Sequence, residues 1–262
     1  MSEPAGVELL ERLRAQPGGE DLLAAATPGA FLVGGAVRDL LLDRRPRELD
    51  VVVEGEDAPL GHAAALLAGE LVSRFGTPAG ASGHERFGTV IVEWAAGRID
   101  IATARRERYP APGALPEVEP APLAEDLQRR DFTVNALALA LDGERPGELH
   151  AAPHALEDLR AGRLRVLHER SFLDDPTRLW RLARYRARLG FALEAHTAQL
   201  ATAAVAEGAL GSVSGARLGA ELRLALAEPE PLAACAELER LGLLHALHPR
   251  LRFEAPLARR AL

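Results

Sequence analysis

Three carboxylates in this 262-residue chain stand where they could hold a divalent cation. The stretch E-L-D (48–50) opens an apolar, β-branched run. On a strand, residues two apart face the same side, so Glu48 and Asp50 project together while Leu49 points into the core. Neighbouring carboxylates repel and need a cation to stay charged at neutral pH. Magnesium is the natural occupant, because it takes oxygen ligands and keeps positions open for substrate phosphates. A third carboxylate, Asp100, lies in R-I-D-I (98–101). Upstream, V-G-G-A-V-R-D (33–39) places Gly34 and Gly35 between a strand and a helix, with Arg38 in the first helical turn. Glycines let the backbone approach a ligand, the helix start offers N–H groups to a phosphate, and Arg38 is in reach of a triphosphate. Alone, each feature has a plain reading as a tight turn or a solvated strand edge. Together they fit two-metal nucleotidyl transfer, with Glu48 and Asp50 as metal ligands and Asp100 as the third carboxylate.

These groups need elements to position them. Residues 31–33 and 49–53 are expected strands, with the helix-like AVRDLLLD after the first. Residues 89–94 and 98–103 read as a hairpin turning at Ala95-Ala96-Gly97. Helices are expected at 7–15 and 59–72. Residues 109–123 hold five prolines and read as an irregular loop. Residues 131–141 are apolar again. Beyond residue 155, amphipathic helical segments dominate at 175–189, 194–207, 216–227 and 230–242. The expected organisation is a mixed α/β catalytic domain over 1–150 and a helical part over 151–262.

Composition narrows the class. No long apolar run or basic-then-apolar start is present, so neither a spanning helix nor a signal peptide is expected, and the cytoplasm is the default location. Cys235 is the lone cysteine, which rules out an internal disulfide. All 31 basic residues are arginine, which excludes lysine-dependent chemistry such as a P-loop or a Schiff base. The net charge of −7 opposes nucleic-acid binding globally but leaves room for a local basic face.

V-G-G-A-V-R-D, E-L-D-V-V-V-E-G, R-I-D-I-A-T-A-R-R-E-R-Y, D-L-Q-R-R-D-F-T-V-N-A-L-A and D-D-P-T-R-L-W-R-L-A-R-Y-R-A-R-L-G-F occur in this order. They resemble the class II tRNA nucleotidyltransferase and bacterial poly(A) polymerase family. The resemblance implies an α+β, polymerase-β-like nucleotidyltransferase head (a mixed sheet with flanking helices) followed by an all-helical neck and body. It implies that Gly34, Gly35 and Arg38 hold the triphosphate, that Glu48 and Asp50 fill the metal positions, and that Arg129 or Arg130 contacts the nucleotide. It assigns base reading to Asp175 and Arg178, with Arg181 and Arg184 in support. That assignment has a physical basis: a carboxylate accepts from an exocyclic amine, a guanidinium donates to ring nitrogen or carbonyl, and CTP and ATP both carry the amine. The implied activity is Mg2+-dependent addition of C and/or A from CTP and ATP to a tRNA 3′ end.

This chain departs from the family pattern in three places. Glu48 stands where the family has Asp, H-A-A-P-H-A-L-E-D-L (150–159) replaces an Asp-Pro stretch, and the chain ends at Leu262, soon after the expected start of the body. The last suggests a shortened chain or a short form with weaker RNA binding. A poly(A) polymerase would differ in product, adding A without limit. A non-catalytic nucleotide- or RNA-binding module would bind nucleotide without releasing pyrophosphate. The sequence sets no oligomeric state.

Overall fold

A computed structural model describes residues 6–55, 58–77 and 79–254. Leu262 lies outside them. Residues 6–107 and 118–156 form one compact unit; residues 108–117 and 157–254 form a second.

The first unit begins with helices α1 (Gly6–Arg14) and α2 (Gly19–Ala25). Then come β1 (Ala30–Val33), α3 (Gly35–Leu41), β2 (Leu49–Val53), α4 (His62–Phe75), β3 (Gly80–His84), β4 (Thr89–Trp94) and β5 (Gly97–Thr103). A two-stranded ribbon follows, β6 (Arg105–Arg108) with β7 (Glu117–Pro120), and then α5 (Leu123–Gln128), β8 (Leu137–Ala140) and β9 (Leu149–Ala151). Among the described residues the sheet runs β3-β4-β5-β2-β1-β8-β9, and β2–β5 is its parallel pair.

Valine-rich β2 and isoleucine-bearing β5 suit a pleated sheet, and their shared register sorts the side chains. Leu49, Val51 and Val53 lie opposite Ile99, Ile101 and Thr103, and all six are buried. Helix α4 packs on β4, β5 and β2 with a stripe of Ala64, Leu67, Ala68 and Leu71, the i, i+3, i+4, i+7 pattern of a core-facing helix. Burying each leucine of this stripe stabilises the fold by about 1.5–3 kcal/mol. The alternate positions, Asp50 beside Asp100 and Val52 beside Ala102, point to the other face. Helix α4 starts three residues later than expected because Gly61, at φ 90°, caps it and donates its N–H to Thr103 Oγ1 at 3.0 Å.

The proline-rich segment is more ordered than expected. Glu117–Pro120 is strand β7, and α5 starts at Leu123, whose N–H donates to Glu54 Oε1 at 2.7 Å.

The second unit contains α6 (Ala155–Ala161, which starts in the first unit), β10 (Arg163–Leu164), α7 (Ser171–Asp174), α8 (Thr177–Leu189), β11 (Ala192–Leu193), α9 (Ala195–Ala206), α10 (Gly215–Leu226), α11 (Pro231–Arg240) and α12 (Leu243–Leu247). Helix α8 buries Leu179, Trp180, Leu182 and Ala183 and packs on α10 and α11. No helix among the described residues is long and apolar enough to cross a membrane.

Candidate active site

The structure brings Asp50 and Asp100 together. They are direct register partners on the parallel β2–β5 pair, half-buried, on the sheet face that α4 leaves open. They line a cavity of about 320 Å³ that also holds Arg105, Arg129 and Arg130. Neighbouring strands lie about 4.8 Å apart, so two like charges abreast call for a cation. Asp100 accepts two hydrogen bonds from Arg98, Nε to Oδ1 at 2.8 Å and Nη2 to Oδ2 at 2.5 Å.

Glu48 is placed differently. The β2 ladder starts at Leu49↔Ile99, so Glu48 precedes the strand, is exposed, and lines an adjoining hollow of about 310 Å³ with Arg47, Trp94 and Arg98. The strand alternation expected to pair it with Asp50 does not extend to it. Among the described residues, no group of three or more His, Cys, Asp or Glu side chains is arranged to hold a metal ion. The pair Asp50 and Asp100 offers only hard oxygen donors, which fits a divalent cation that completes its shell with substrate phosphates and water.

Three arginines supply the positive wall, and two carboxylates that sequence reasoning missed hold them. Asp126 is fully buried. Its Oδ1 accepts from Arg129 Nε and Nη2 at 2.9 and 2.7 Å, and its Oδ2 from Arg130 Nη2 at 2.8 Å. Burial pushes the Asp126 carboxyl up, but Arg129 and Arg130 outweigh it and hold the group below the usual aspartate value. Glu107 accepts from Arg129 Nη1 at 2.8 Å and from Arg105 Nη2 at 3.3 Å. Arg105 also donates to the Phe87 carbonyl at 2.6 Å. Burial, then the charge of Arg129, pushes Arg105 below the usual arginine value. A sequence signal existed: in D-L-Q-R-R, Asp126 stands three and four residues before the two arginines, the spacing of neighbours on a helix.

The glycine turn adjoins this cluster. Gly34 has φ 70° and ψ −133°, a backbone open essentially to glycine, and a Cβ there would lie 2.8 Å from Arg130 Nη1. Gly34→Ala is therefore expected to cost about 1–3 kcal/mol of stability and to displace Arg130. Thermal denaturation checks this; an unchanged melting temperature would show that the turn tolerates a side chain.

Arg38 lies beneath the turn. It is 1% exposed, donating to Asp39 Oδ1 from Nε at 2.8 Å and to Asn135 Oδ1 from Nη1 at 2.6 Å. Asn135 in turn donates to Asp131 Oδ1 at 2.9 Å. Where the sequence suggested a triphosphate ligand, the structure places a buried brace between α3 and the 133–135 turn.

In the second unit, Asp175 Oδ1 accepts from Thr177 Oγ1 at 2.7 Å and from Arg217 Nη2 at 2.9 Å. Arg178 is buried and donates from Nη1 to Ser171 Oγ at 2.8 Å, with His168 Nε2 at 3.4 Å. Burial, then Arg178, lowers the His168 pKa, which favours a neutral ring able to accept from the guanidinium. Arg181 donates to the Tyr185 hydroxyl at 3.0 Å. Arg184 is buried and paired with Glu221 at 2.9 Å and Glu228 at 3.1 Å, tying α8 to α10. Arg217, unmarked in the sequence reading, also donates to the Gly113 carbonyl at 2.6 Å, and Gly113 N–H donates to the Asp174 carbonyl at 3.2 Å. It joins the proline-rich tip to the Asp174–Asp175 segment.

Residues 30–165 match the poly A polymerase head domain. The chain belongs to that family. The A-adding tRNA nucleotidyltransferase of Geobacter sulfurreducens is 42% identical over 84% of this chain and 24% of its own length. The CC-adding tRNA nucleotidyltransferase of Deinococcus radiodurans is 40% identical over 92% of this chain and 63% of its own. The solved structure of a tRNA nucleotidyltransferase with a primer tRNA and an incoming ATP analog superposes with a TM-score of 0.72 at 35% identity, covering 88% of this chain and 62% of that one. The chain thus spans less than two thirds of these relatives' lengths.

Proposed function

We propose that this chain transfers nucleotides from CTP and/or ATP to the 3′ end of a tRNA, releasing pyrophosphate. The observation that carries the reading is the register pair Asp50–Asp100 on an open sheet face, walled by Arg105, Arg129 and Arg130 beside the Gly34 turn. Arginines suit the triphosphate, whose charge must be met before the leaving pyrophosphate can depart. Asp50 and Asp100 hold Mg2+, with Glu48 contributing from the adjoining hollow. Bound there, Mg2+ supplies the charge stabilisation of an in-line displacement. Arg38 acts as a brace rather than a ligand. Asp175 and Arg178 read the amine-bearing base edge, Arg181 supports them, and Arg184 fixes the helix that carries them. A tRNA substrate places the activity in the cytoplasm. The named relatives add A or C-C, so partial addition is part of the reading.

The test offers tRNAs ending at the discriminator base, at C and at C-C, with CTP or ATP and Mg2+, and reads products at single-nucleotide resolution. Stopping at C-C or at a terminal A supports the reading. Unlimited A addition to any RNA makes the chain a poly(A) polymerase, and nucleotide binding without pyrophosphate release makes it a binding module.

Base selection gives a further expected result. Arg217→Ala removes one partner of Asp175 and one of Gly113. Charged hydrogen bonds are worth about 1.5–3 kcal/mol, so selectivity for CTP or ATP over UTP and GTP should fall by roughly tenfold or more, with a smaller change in kcat. Unchanged selectivity would remove Arg217 from base reading.

A further inference from the structure

Arg98, Arg105, Arg129, Arg130, Arg184 and Arg217 are held by the chain's own carboxylates. Arg44 and Arg45 are not: both are exposed, and among the described residues neither is paired with a carboxylate. They sit in the short connection between α3 and β2. Arg44 N–H donates to the Asp39 carbonyl at 2.8 Å, and Pro46 is buried.

Two hollows meet along this connection. One, of about 580 Å³, is edged by Arg12, Arg44 and Arg45. The other, of about 310 Å³, shares Gln16, Pro17 and Arg45 with it and runs on to Glu48, Trp94 and Arg98. Together they form one trough that ends at Arg98, whose guanidinium binds both carboxylate oxygens of Asp100. The Trp94 ring is fixed at the trough by stacking on Phe75, centroids 4.2 Å apart and 8° from parallel. Asp43 also stands at the rim, paired with Arg12 at 3.2 Å.

We propose that this trough carries the RNA strand leading to the reactive 3′ end, with Arg44 and Arg45 binding its phosphates. The proposal rests on the RNA-acceptor reading above. A 3′-hydroxyl delivered to Asp50 and Asp100 ends a strand whose earlier phosphates must leave across adjoining surface, and this trough adjoins the Asp100 end. A chain of net charge −7 repels RNA at long range, so it needs a local cationic track. Guanidinium forks match phosphate oxygens.

The test measures binding without turnover. Fluorescence anisotropy of a labelled RNA hairpin with a single-stranded 3′ tail ending in C-C is followed against KCl concentration, without nucleotide. The full chain is compared with R44A/R45A and R44E/R45E, and unchanged melting temperatures confirm folding. Each phosphate contact contributes about 0.7 to the log–log salt slope on single strands, so R44A/R45A should flatten it by about 1–2, with roughly tenfold weaker binding at 0.1 M salt. The charge reversal should weaken binding further. KM for CTP and ATP at saturating RNA should not change. Equal affinity and slope in R44E/R45E, or no RNA binding by the parent chain, overturns the trough. Nucleotide addition is read separately. If the parent chain binds through the trough but adds nothing, the transferase reading falls and the trough stands; if it adds nucleotides while R44E/R45E binds unchanged, the reverse holds.

Discussion

Asp50→Asn is expected to lower nucleotide transfer by about a thousandfold or more without destabilising the protein. Metal-borne charge stabilisation is worth several kcal/mol, and each 1.36 kcal/mol is a factor of ten in rate. The folded state should not suffer, because the substitution relieves repulsion between Asp50 and its register partner Asp100. Asp100→Asn should act similarly on rate, but it also weakens the double contact with Arg98. Glu48→Gln should cost less than either, because Glu48 precedes the ladder and lines the neighbouring hollow. Single-turnover product analysis with matched melting curves decides the matter. Full activity in Asp50→Asn would sink the carboxylate assignment, and a Glu48→Gln loss equal to that of Asp50→Asn would show that the hollow closes onto the pair during reaction.

The strands were readable where apolar runs alternate with chemistry. Leu49–Val53 is β2 as expected, and the Ala95-Ala96-Gly97 turn joins β4 to β5. Hydrophobic periodicity likewise located the long helices α8 to α11 within about two residues. What the sequence did not show is set by pairing between distant segments. Residues 117–120 became a strand because 105–108 lies opposite, which Pro120 does not announce. Arg38 drew attention by its place after two glycines, but its hydrogen bond to Asn135, distant in sequence, was not readable there. Arg217 lies far along the chain from both its partners. Glu48 and Asp50 share the E-L-D spacing, with Asp100 expected as the third carboxylate on an adjacent strand; the structure makes Asp50 and Asp100 direct register partners, while Glu48 precedes the ladder.

Asp126→Ala is expected to be strongly destabilising. It removes a fully buried carboxylate and leaves Arg129 and Arg130 without their shared acceptor. Breaking a buried pair from one side costs about 3–5 kcal/mol, a large part of the 5–15 kcal/mol that stabilises an ordinary domain. The pH dependence carries a defined sign. The folded carboxyl is held below its usual value, so its contribution is fully present above the unfolded aspartate pKa of about 3.9 and is lost as pH falls through the lower folded value. Urea denaturation should therefore show a constant gap between wild type and Asp126→Asn from pH 5 to 8, narrowing below pH 4. A gap that stays constant into acid would mean that packing rather than charge stabilises the site. Glu107→Gln separates scaffold from cation placement: it loosens Arg105 and Arg129 but leaves Arg130 on Asp126. It should raise the KM for nucleotide with a smaller loss of stability. Equal stability losses in the two variants would mean that the arginine wall is one cooperative structural unit, with no cation there adjustable on its own.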